Sequence, residues 1–401
     1  MKEAKDMKEG WEYKKLGEVV DFCRGLTYGK QEEAISSDFC VLRSNNIDME
    51  SMSLNFDEIK YLSPDFVIPE DKKLKGNSIF ICMSNGSKQH VGKVAFVEND
   101  MDYAFGGFMG LITPSKEVSA KYVYYACRSP LYRVFLTSIG NGIGITNLKF
   151  TDLYNFSFPM PKLSHQQQIV SELDLLSGVI EKQKTQLEEL DKLAQSIFYD
   201  MFGDPVTNEK GWEMKKLGEE CEDMKYGTSR PACENGRYKY LRMGNITLDG
   251  HLDLADLKTI DIPEEEVEKC IVRYGDILFN RTNSHELIGK TCMFDLDEPM
   301  IIAGYIIRVR LSENLKSIFI SIMFNLPSMK KLLRSIAKGA VNQANINSKE
   351  LASINIIIPP LSLQQEFAAK VEAIEAMKAK VRQSLKEAET LFNSRMDYYF
   401  N

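Results

Sequence analysis

Two stretches of the sequence concentrate side chains that bond to nucleobase edges and to phosphates. Residues 84–93 carry Asn85, Ser87, Lys88, Gln89, His90 and Lys93, and residues 281–290 carry Arg281, Thr282, Asn283, Ser284, His285 and Lys290. Arg and Lys discriminate guanine in a DNA major groove, and Asn and Gln discriminate adenine. Lys, Arg, Ser, Thr and backbone amides hold phosphates. The same residue types also make an ordinary solvated loop, and both readings stand at this point. Two further tracts are candidates of the same kind. Asn141-Gly-Ile-Gly-Ile-Thr-Asn supplies Asn141, Thr146 and Asn147, and Gly339-Ala-Val-Asn-Gln-Ala-Asn supplies Asn342, Gln343 and Asn345. Their glycines would let backbone approach a phosphate. Arg24-Gly-Leu-Thr-Tyr-Gly-Lys adds Arg24, Tyr28 and Lys30, and Lys225-Tyr-Gly-Thr-Ser-Arg adds Lys225, Tyr226, Thr228 and Arg230.

Catalytic patterns fall short of their requirements. Gly289-Lys-Thr ends like a phosphate-binding loop, but the first glycine that loop needs would stand at Ser284. Ile358-Pro-Pro-Leu lacks the Asn or Asp and the aromatic of an amino-methyltransferase tetrad. Phe105-Gly-Gly-Phe-Met-Gly reads as a strand turn rather than a methyl-donor loop, because its counterpart Ala303-Gly-Tyr keeps one glycine. Pro64-Asp65 and Glu70-Asp-Lys72 are too close together for a nuclease carboxylate motif. The eight cysteines form no Cys-x-x-Cys and the four histidines no His-Glu-x-x-His, so reduced core thiols are expected and no metal site.

The elements that position these tracts are written twice. Gly10-Trp-Glu-Tyr-Lys-Lys-Leu-Gly-Glu returns as Gly211-Trp-Glu-Met-Lys-Lys-Leu-Gly-Glu. Leu42-Arg-Ser-Asn-Asn-Ile returns as Leu241-Arg-Met-Gly-Asn-Ile, Gly76-Asn-Ser-Ile-Phe as Gly275-Asp-Ile-Leu-Phe, and Leu163-Ser-His-Gln-Gln as Leu361-Ser-Leu-Gln-Gln. The matches keep their order, so 401 residues divide into two halves of one plan. The first part of each half, 11–161 and 212–360, mixes short strand-like runs with Gly, Asn and Pro. Ser78-Ile-Phe-Ile-Cys-Met and Asp276-Ile-Leu-Phe read as buried strands and 301–311 as another. Residues 118–139 and 317–338 read as amphipathic helices.

The second part of each half is a long helix. The apolar positions Ile169, Leu173, Leu176, Ile180, Leu187, Leu190 and Ile197 step by four and three, with Gln183 at the missing place. Phe367, Val371, Ile374, Val381, Leu385 and Phe392 repeat that seam, interrupted at Lys378 and Arg395, where Met377 and Met396 could substitute. Pro159, Pro161 and Pro359-Pro360 bar an earlier start. Ser164 and Ser362 are candidate N-caps, with Gln167 and Gln365 at capping-box spacing. Each helix is expected to run for about 34 residues, about 50 Å, and to find its partner in the other.

This order of features resembles the specificity subunit of type I restriction-modification systems. The resemblance covers essentially the whole chain. It rests on the duplicated Pro-Pro-Leu-like turn with its Gln-Gln pair, on the linker Phe202-Gly-Asp-Pro-Val-Thr-Asn-Glu-Lys-Gly-Trp-Glu, and on Gly142-Ile-Gly-Ile-Thr-Asn-Leu running into Phe158-Pro-Met-Pro. It implies an α+β fold: two similar mixed α/β target recognition domains, separated by two long helices that form an antiparallel intramolecular coiled coil with a pseudo-twofold. The implied boundaries are 1–161 for the first domain, 162–202 for the first helix, 203–360 for a leading linker and the second domain, and 361–401 for the second helix. Each domain would read half of a split, asymmetric site on double-stranded DNA. The helices would set the spacing and dock two methyltransferase subunits, which restriction/translocase subunits join. The chain itself would hold no cofactor and no catalytic centre; S-adenosylmethionine, ATP and Mg would belong to its partners. A fused or orphan DNA-modifying enzyme and a coiled-coil scaffold without DNA are the competing readings.

Composition agrees with two packed domains: 44% of residues are hydrophobic, and no apolar run approaches the roughly 20 residues of a membrane span. The N-terminus lacks a signal-peptide core, so a cytoplasmic location is expected. The net charge of −7 excludes a uniformly basic coat. Residues 11–161 hold 16 basic and 18 acidic residues, residues 212–360 hold 20 and 21, and residues 162–211 hold 5 and 9. The acidity therefore concentrates in the first helix and its linker, while the two presumed readers are nearly neutral.

Overall fold

The computed structural model describes residues 10–140, 146–340 and 343–401. The chain forms two compact units, and the division passes through the two long helices rather than at their ends. One unit runs to Lys182 and takes in Leu385–Asn401; the other is Gln183–Ser384.

In the first unit, an antiparallel sheet orders its strands as Val20–Arg24, Met109–Pro114, Ser78–Cys82 and Val94–Val97. Every residue of Ser78–Cys82 is buried, as its uninterrupted apolar run demands. A second, mixed sheet contains Cys40–Leu42 parallel to Met101–Phe105, with short strands at its edges. Glu12–Lys15 pairs with Ser157–Met160, so the start of the globular part closes on its end. Its core joins Ile79, Ile81, Ile112, Tyr122 and Phe158 to Ile169 and Leu173 of the first long helix and to Met396, Tyr399 and Phe400 of the second.

The second unit repeats this plan internally. Its antiparallel sheet is Cys221–Tyr226, Ile306–Leu311, Ile277–Asn280 and Thr291–Met293. Tyr238–Leu241 runs parallel to Met300–Ile302 in the second sheet, and Glu213–Lys216 closes on Asn355–Ile358. The strand expected over 301–311 is two strands in two sheets, because the chain turns at Ala303–Gly304–Tyr305, where Ile306 N donates to Ala303 O at 2.9 Å.

Both expected amphipathic helices are broken in two. Residues 118–139 form Ala120–Ala126 and Pro130–Ile139, and 317–338 form Ser317–Asn325 and Pro327–Ile336. Pro130 and Pro327 have no N–H to give a preceding turn and push the residue before them out of the helical region, so each starts a new helix instead.

The long helices span Leu163–Phe202 and Leu361–Phe400, 40 residues each, longer than the expected 34. At 1.5 Å per residue that is about 60 Å. Ser164 and Ser362 lie inside the first turn rather than capping it. A buried glutamine fixes each start instead. Gln166 accepts from Ser119 N at 2.9 Å and donates to Pro161 O at 2.8 Å; Gln364 accepts from Lys316 N at 2.9 Å and donates to Pro359 O at 2.9 Å. Each thus bolts a helix start to its own unit's globular part.

The seam residues Ile169, Leu173, Phe367, Val371 and Ile374 are buried, and Leu176, Ile180, Leu187, Leu190, Ile197, Val381, Leu385 and Phe392 are half-buried. In the second unit the helices run antiparallel: Gln183 meets Ser384, Asp191 meets Lys378, and the Phe198 ring lies 5.5 Å from that of Phe367. Met377 does not replace Lys378, since Met377 is 54% exposed and Lys378 is 1% exposed. Met396, in contrast, is buried while Arg395 turns to Glu172 on the first helix.

Candidate nucleic-acid interface

Tracts that lie far apart in sequence converge in each unit. In the first, Ser84 bridges to Asn147, the Ser84 hydroxyl donates to Thr146 O at 3.0 Å, and Asn85 N donates to the same carbonyl at 3.2 Å. In the second, Thr282–Asn283 pairs with Gln343–Asn345, and Asn345 Nδ2 donates to Thr282 Oγ1 at 2.9 Å. The expected polar loop and the expected pre-helix tract are therefore one surface in each unit. Asn141 and Asn342 fall outside the described residues.

The start of each globular part joins the same surface through a close backbone approach. Leu26 bridges to Gly106 and Thr228 to Ala303. A Cβ on Gly25 would stand 2.1 Å from Gly106 O, and one on Gly227 would stand 2.0 Å from Ile302 O. Both glycines are thus required by the protein's own packing. In the first unit the convergence leaves a groove of about 690 Å³, lined by Arg24, Tyr28, Arg43, Asn45, Asn85 and Phe108, among others.

The polar candidates differ in how far they are committed internally. Arg24 Nε donates to Gly107 O at 3.3 Å, and its side chain is otherwise exposed, as are Lys30, Ser87, Lys88, Gln89, Thr146, Asn147, His285 and Gln343. Tyr28 and His90 are half-buried; burial raises the Tyr28 hydroxyl and lowers the His90 imidazole. Asn85 Nδ2 donates to Ser44 Oγ at 2.8 Å, and its Oδ1 accepts from Ser87 N. In the second unit Arg281 stacks 4.8 Å from the Tyr226 ring centre and donates to Gly304 O at 3.4 Å and Asn345 Oδ1 at 3.3 Å. The Tyr226 hydroxyl bonds Ser348. Asn283 Oδ1 accepts from Ser284 N at 2.9 Å. Lys225 pairs with Asp223 at 3.2 Å and Arg230 with Glu266 at 2.7 Å.

Four candidates lie inside the fold. Lys93 donates to Ile47 O at 2.8 Å and Lys290 to Met243 O at 2.9 Å; both are buried, which lowers their pKa. Thr228 and Thr282 are each 6% exposed. The two lysines brace the loop that follows a central strand from beneath, so they are supports rather than contacts.

The sequence model of the type I restriction modification DNA specificity domain matches residues 8–192 and 209–389. The chain belongs to this family. Over 393 residues it is 27% identical to the EcoKI specificity subunit of Escherichia coli K12, covering 93% of this chain and 84% of that protein. It is 26% identical over 405 residues to the StySPI specificity subunit of Salmonella potsdam, covering 96% and 86%. The solved S subunit from M. genitalium has a TM-score of 0.58 at 14% identity, covering 100% of this chain and 98% of that one. A chain from a solved type I R-M assembly has a TM-score of 0.57 at 18% identity, covering 98% of both. This chain therefore carries two DNA specificity domains on the S-subunit fold.

Two parts of this specificity-domain surface escaped sequence reasoning. Phe108 and Tyr305 stand at equivalent turns and are 71% and 52% exposed. Arg43 and Arg242 follow equivalent strands, and Arg43 lines the first groove. Their signal is the repeated Leu-Arg pair, masked because its neighbours Leu42 and Asn46 are buried frame residues. No helix among the described residues is long and apolar enough to cross a membrane. The one group there spaced for a metal, Asp191, Asp249 and His251, faces the Lys378 ammonium, which lies 2.6 Å from Asp191 and 3.2 Å from His251 Nε2.

Proposed function

We propose that each specificity domain reads one half of a bipartite, asymmetric duplex DNA site, that the long helices set the distance between the halves, and that they dock two methyltransferase subunits. The chain acts as a recognition subunit without catalysis of its own. S-adenosylmethionine sits on the methyltransferase partners, and ATP and Mg on restriction/translocase partners where these join; the work is done in the cytoplasm.

The observation that carries this reading is the convergence of the same tracts onto one surface in both units. One turn presents an exposed aromatic, a neighbouring strand end presents an arginine, and a polar loop lies beside them. Their frame repeats, and the side chains of the polar loops differ between the units, as two readers of different sequences require. The 40-residue helices support the spacer role, because a stiff helix converts residue count into distance. Leu175, 70% exposed, with Val179 one turn on and 46% exposed, supplies apolar surface for a protein partner on the first helix.

Two heptads inserted at facing positions of both helices test the spacer role through methylome sequencing of cells that express the complex. The gap between half-sites should lengthen and the half-sites stay the same. Altered half-sites with an unchanged gap would refute it. Binding of S-adenosylmethionine by the purified chain alone would refute the assignment of that cofactor to the partners.

A further inference from the structure

The two units differ in what they do with equivalent cations. Arg43 and Arg242 occupy the same place: each backbone N–H donates to a buried asparagine, Asn46 Oδ1 or Asn245 Oδ1, at 2.8 Å. Each Nε is buried without a partner. The guanidinium tips then diverge. Arg242 Nη2 holds the Asp256 carboxylate at 2.7 Å and the Asp256 carbonyl at 3.1 Å. Among the described residues Arg43 has no carboxylate within 4.0 Å and no side-chain hydrogen bond, although it lines the groove. The acidic side chains around it are engaged elsewhere: Glu33 with Lys60 at 2.8 Å, and Glu58 with Asn45 Nδ2 at 2.9 Å.

The same contrast extends to the neighbouring cations. Arg24 also lines the groove and, among the described residues, has no carboxylate partner; its Nε donates to Gly107 O. In the second unit Lys225, Arg230 and Arg242 are all paired with acids, and Arg281 is shared between a tyrosine face, a carbonyl and an asparagine. The first groove thus carries two guanidinium groups without a direct carboxylate contact, Glu33 at its edge being bonded to Lys60 and acting on Arg43 only at longer range, whereas in the second domain Arg230 and Arg242 each hold a carboxylate.

The geometry points to a phosphodiester clamp in the first domain, formed by Arg43 and Arg24, that has no counterpart in the second. A concave groove admits the convex sugar–phosphate backbone, whereas base edges lie recessed in a DNA groove and need a protruding reader. A guanidinium fork matches phosphate oxygens two at a time. Gly106 and Gly107 leave the groove wall bare of side chains, and Ser44 and Asn85 add polar groups beside it. The clamp rests on the reading of this domain as a DNA reader. It assigns to the first domain the larger share of salt-dependent affinity and to the second the larger share of neutral contact.

The test uses the full chain assembled with its methyltransferase subunits and a duplex that carries the site found by methylome sequencing. Binding is followed by fluorescence anisotropy across a salt series for wild type, R43Q, R43K, R24Q and R242Q. Each phosphate contact contributes about 0.9 to the slope of log K against log salt. R43Q and R24Q should each flatten the slope by about that amount, weaken every sequence alike and leave the methylated motif intact. R43K should retain most of the slope, and R242Q, whose charge Asp256 already neutralises, should leave the slope unchanged whatever it does to affinity. An R43Q slope equal to wild type, or a motif relaxed at one base, would overturn the clamp while leaving the DNA reading standing. A wild-type complex without motif-selective binding would overturn both. Should R43Q fail to fold, R24Q against R242Q makes the same comparison.

Discussion

Lys378 Nζ, on the second long helix, lies 2.6 Å from an Asp191 carboxylate oxygen on the first. Lys378 is 1% exposed, and Glu375 at 2.7 Å completes its neutralisation. A charge in a heptad seam lowers stability relative to an apolar residue but penalises alternative registers. Lys378→Met should be neutral to stabilising within about 1 kcal/mol, because Asp191 and Glu375 stay more than a third exposed and can rehydrate. The double change Asp191→Ala with Glu375→Ala strands the buried ammonium and should cost about 3 kcal/mol or more. Denaturant unfolding of the wild type and the two variants checks the ordering; a Lys378→Met loss as large as that of the double change would contradict it.

Arg308 is fully buried in the second unit and grips Asp223 with both Nη2 contacts, at 3.1 and 3.0 Å. Burial alone would raise the Asp223 carboxyl, but the Arg308 and Lys225 charges more than compensate and its pKa is lowered. Asp223→Ala leaves the guanidinium without its counter-charge and should cost about 3–5 kcal/mol in denaturant unfolding. A loss below about 1 kcal/mol would show that the Glu268 and Ile271 carbonyls, which accept from Arg308 Nη1, suffice.

Glu220, 4% exposed, is held below the usual carboxylate range by the Lys215 ammonium at 2.7 Å, with Ser312 and Asn314 adding hydrogen bonds against the opposing cost of burial. Its folded pKa lies below its unfolded value of about 4.3. The stabilisation it provides is therefore present above that value and is lost as pH falls through the folded pKa. Glu220→Gln should be less stable than wild type at pH 7, and the gap should close towards pH 3. A gap independent of pH would contradict the ionised pairing.

Lys93 supports the first unit's loop from within. Lys93→Met removes the donor to Ile47 O and should cost about 1–3 kcal/mol. Folded complexes of this variant should keep both the methylated motif and the wild-type salt slope. A flattened slope would return Lys93 to the interface.

Phe108 and Tyr305 are large, exposed and placed at equivalent turns. Alanine at either should change unfolding free energy by no more than about 0.5 kcal/mol, as surface substitutions do. Loss of an aromatic contact to a base is worth about 1–3 kcal/mol, so DNA affinity of the complex should fall roughly tenfold. Unchanged affinity would remove both residues from the interface.

The parts of the fold carried by short-range pattern were legible in the sequence. Ser78–Cys82 and Ile277–Asn280 are the strands their apolar runs require, and the period of Ile169, Leu173 and their successors is a helix seam. Pro130 and Pro327 were readable as helix starts, yet the apolar period runs through both and masked them. Depth was not legible: Lys93 and Lys290 sit in polar loops, and only the carbonyls of Ile47 and Met243 from a distant turn make their burial tolerable. Nor was the difference between Arg43 and Arg242, since it depends on whether Asp256 has an equivalent within reach.

Exchange of residues 11–161 for the corresponding domain of a different specificity subunit, followed by methylome sequencing of cells that carry the hybrid complex, tests the central claim most directly. The account predicts that one half-site changes to that of the donor, while the other half-site and the gap persist. A motif that changes in both halves, or in neither, would contradict two independent readers on one chain.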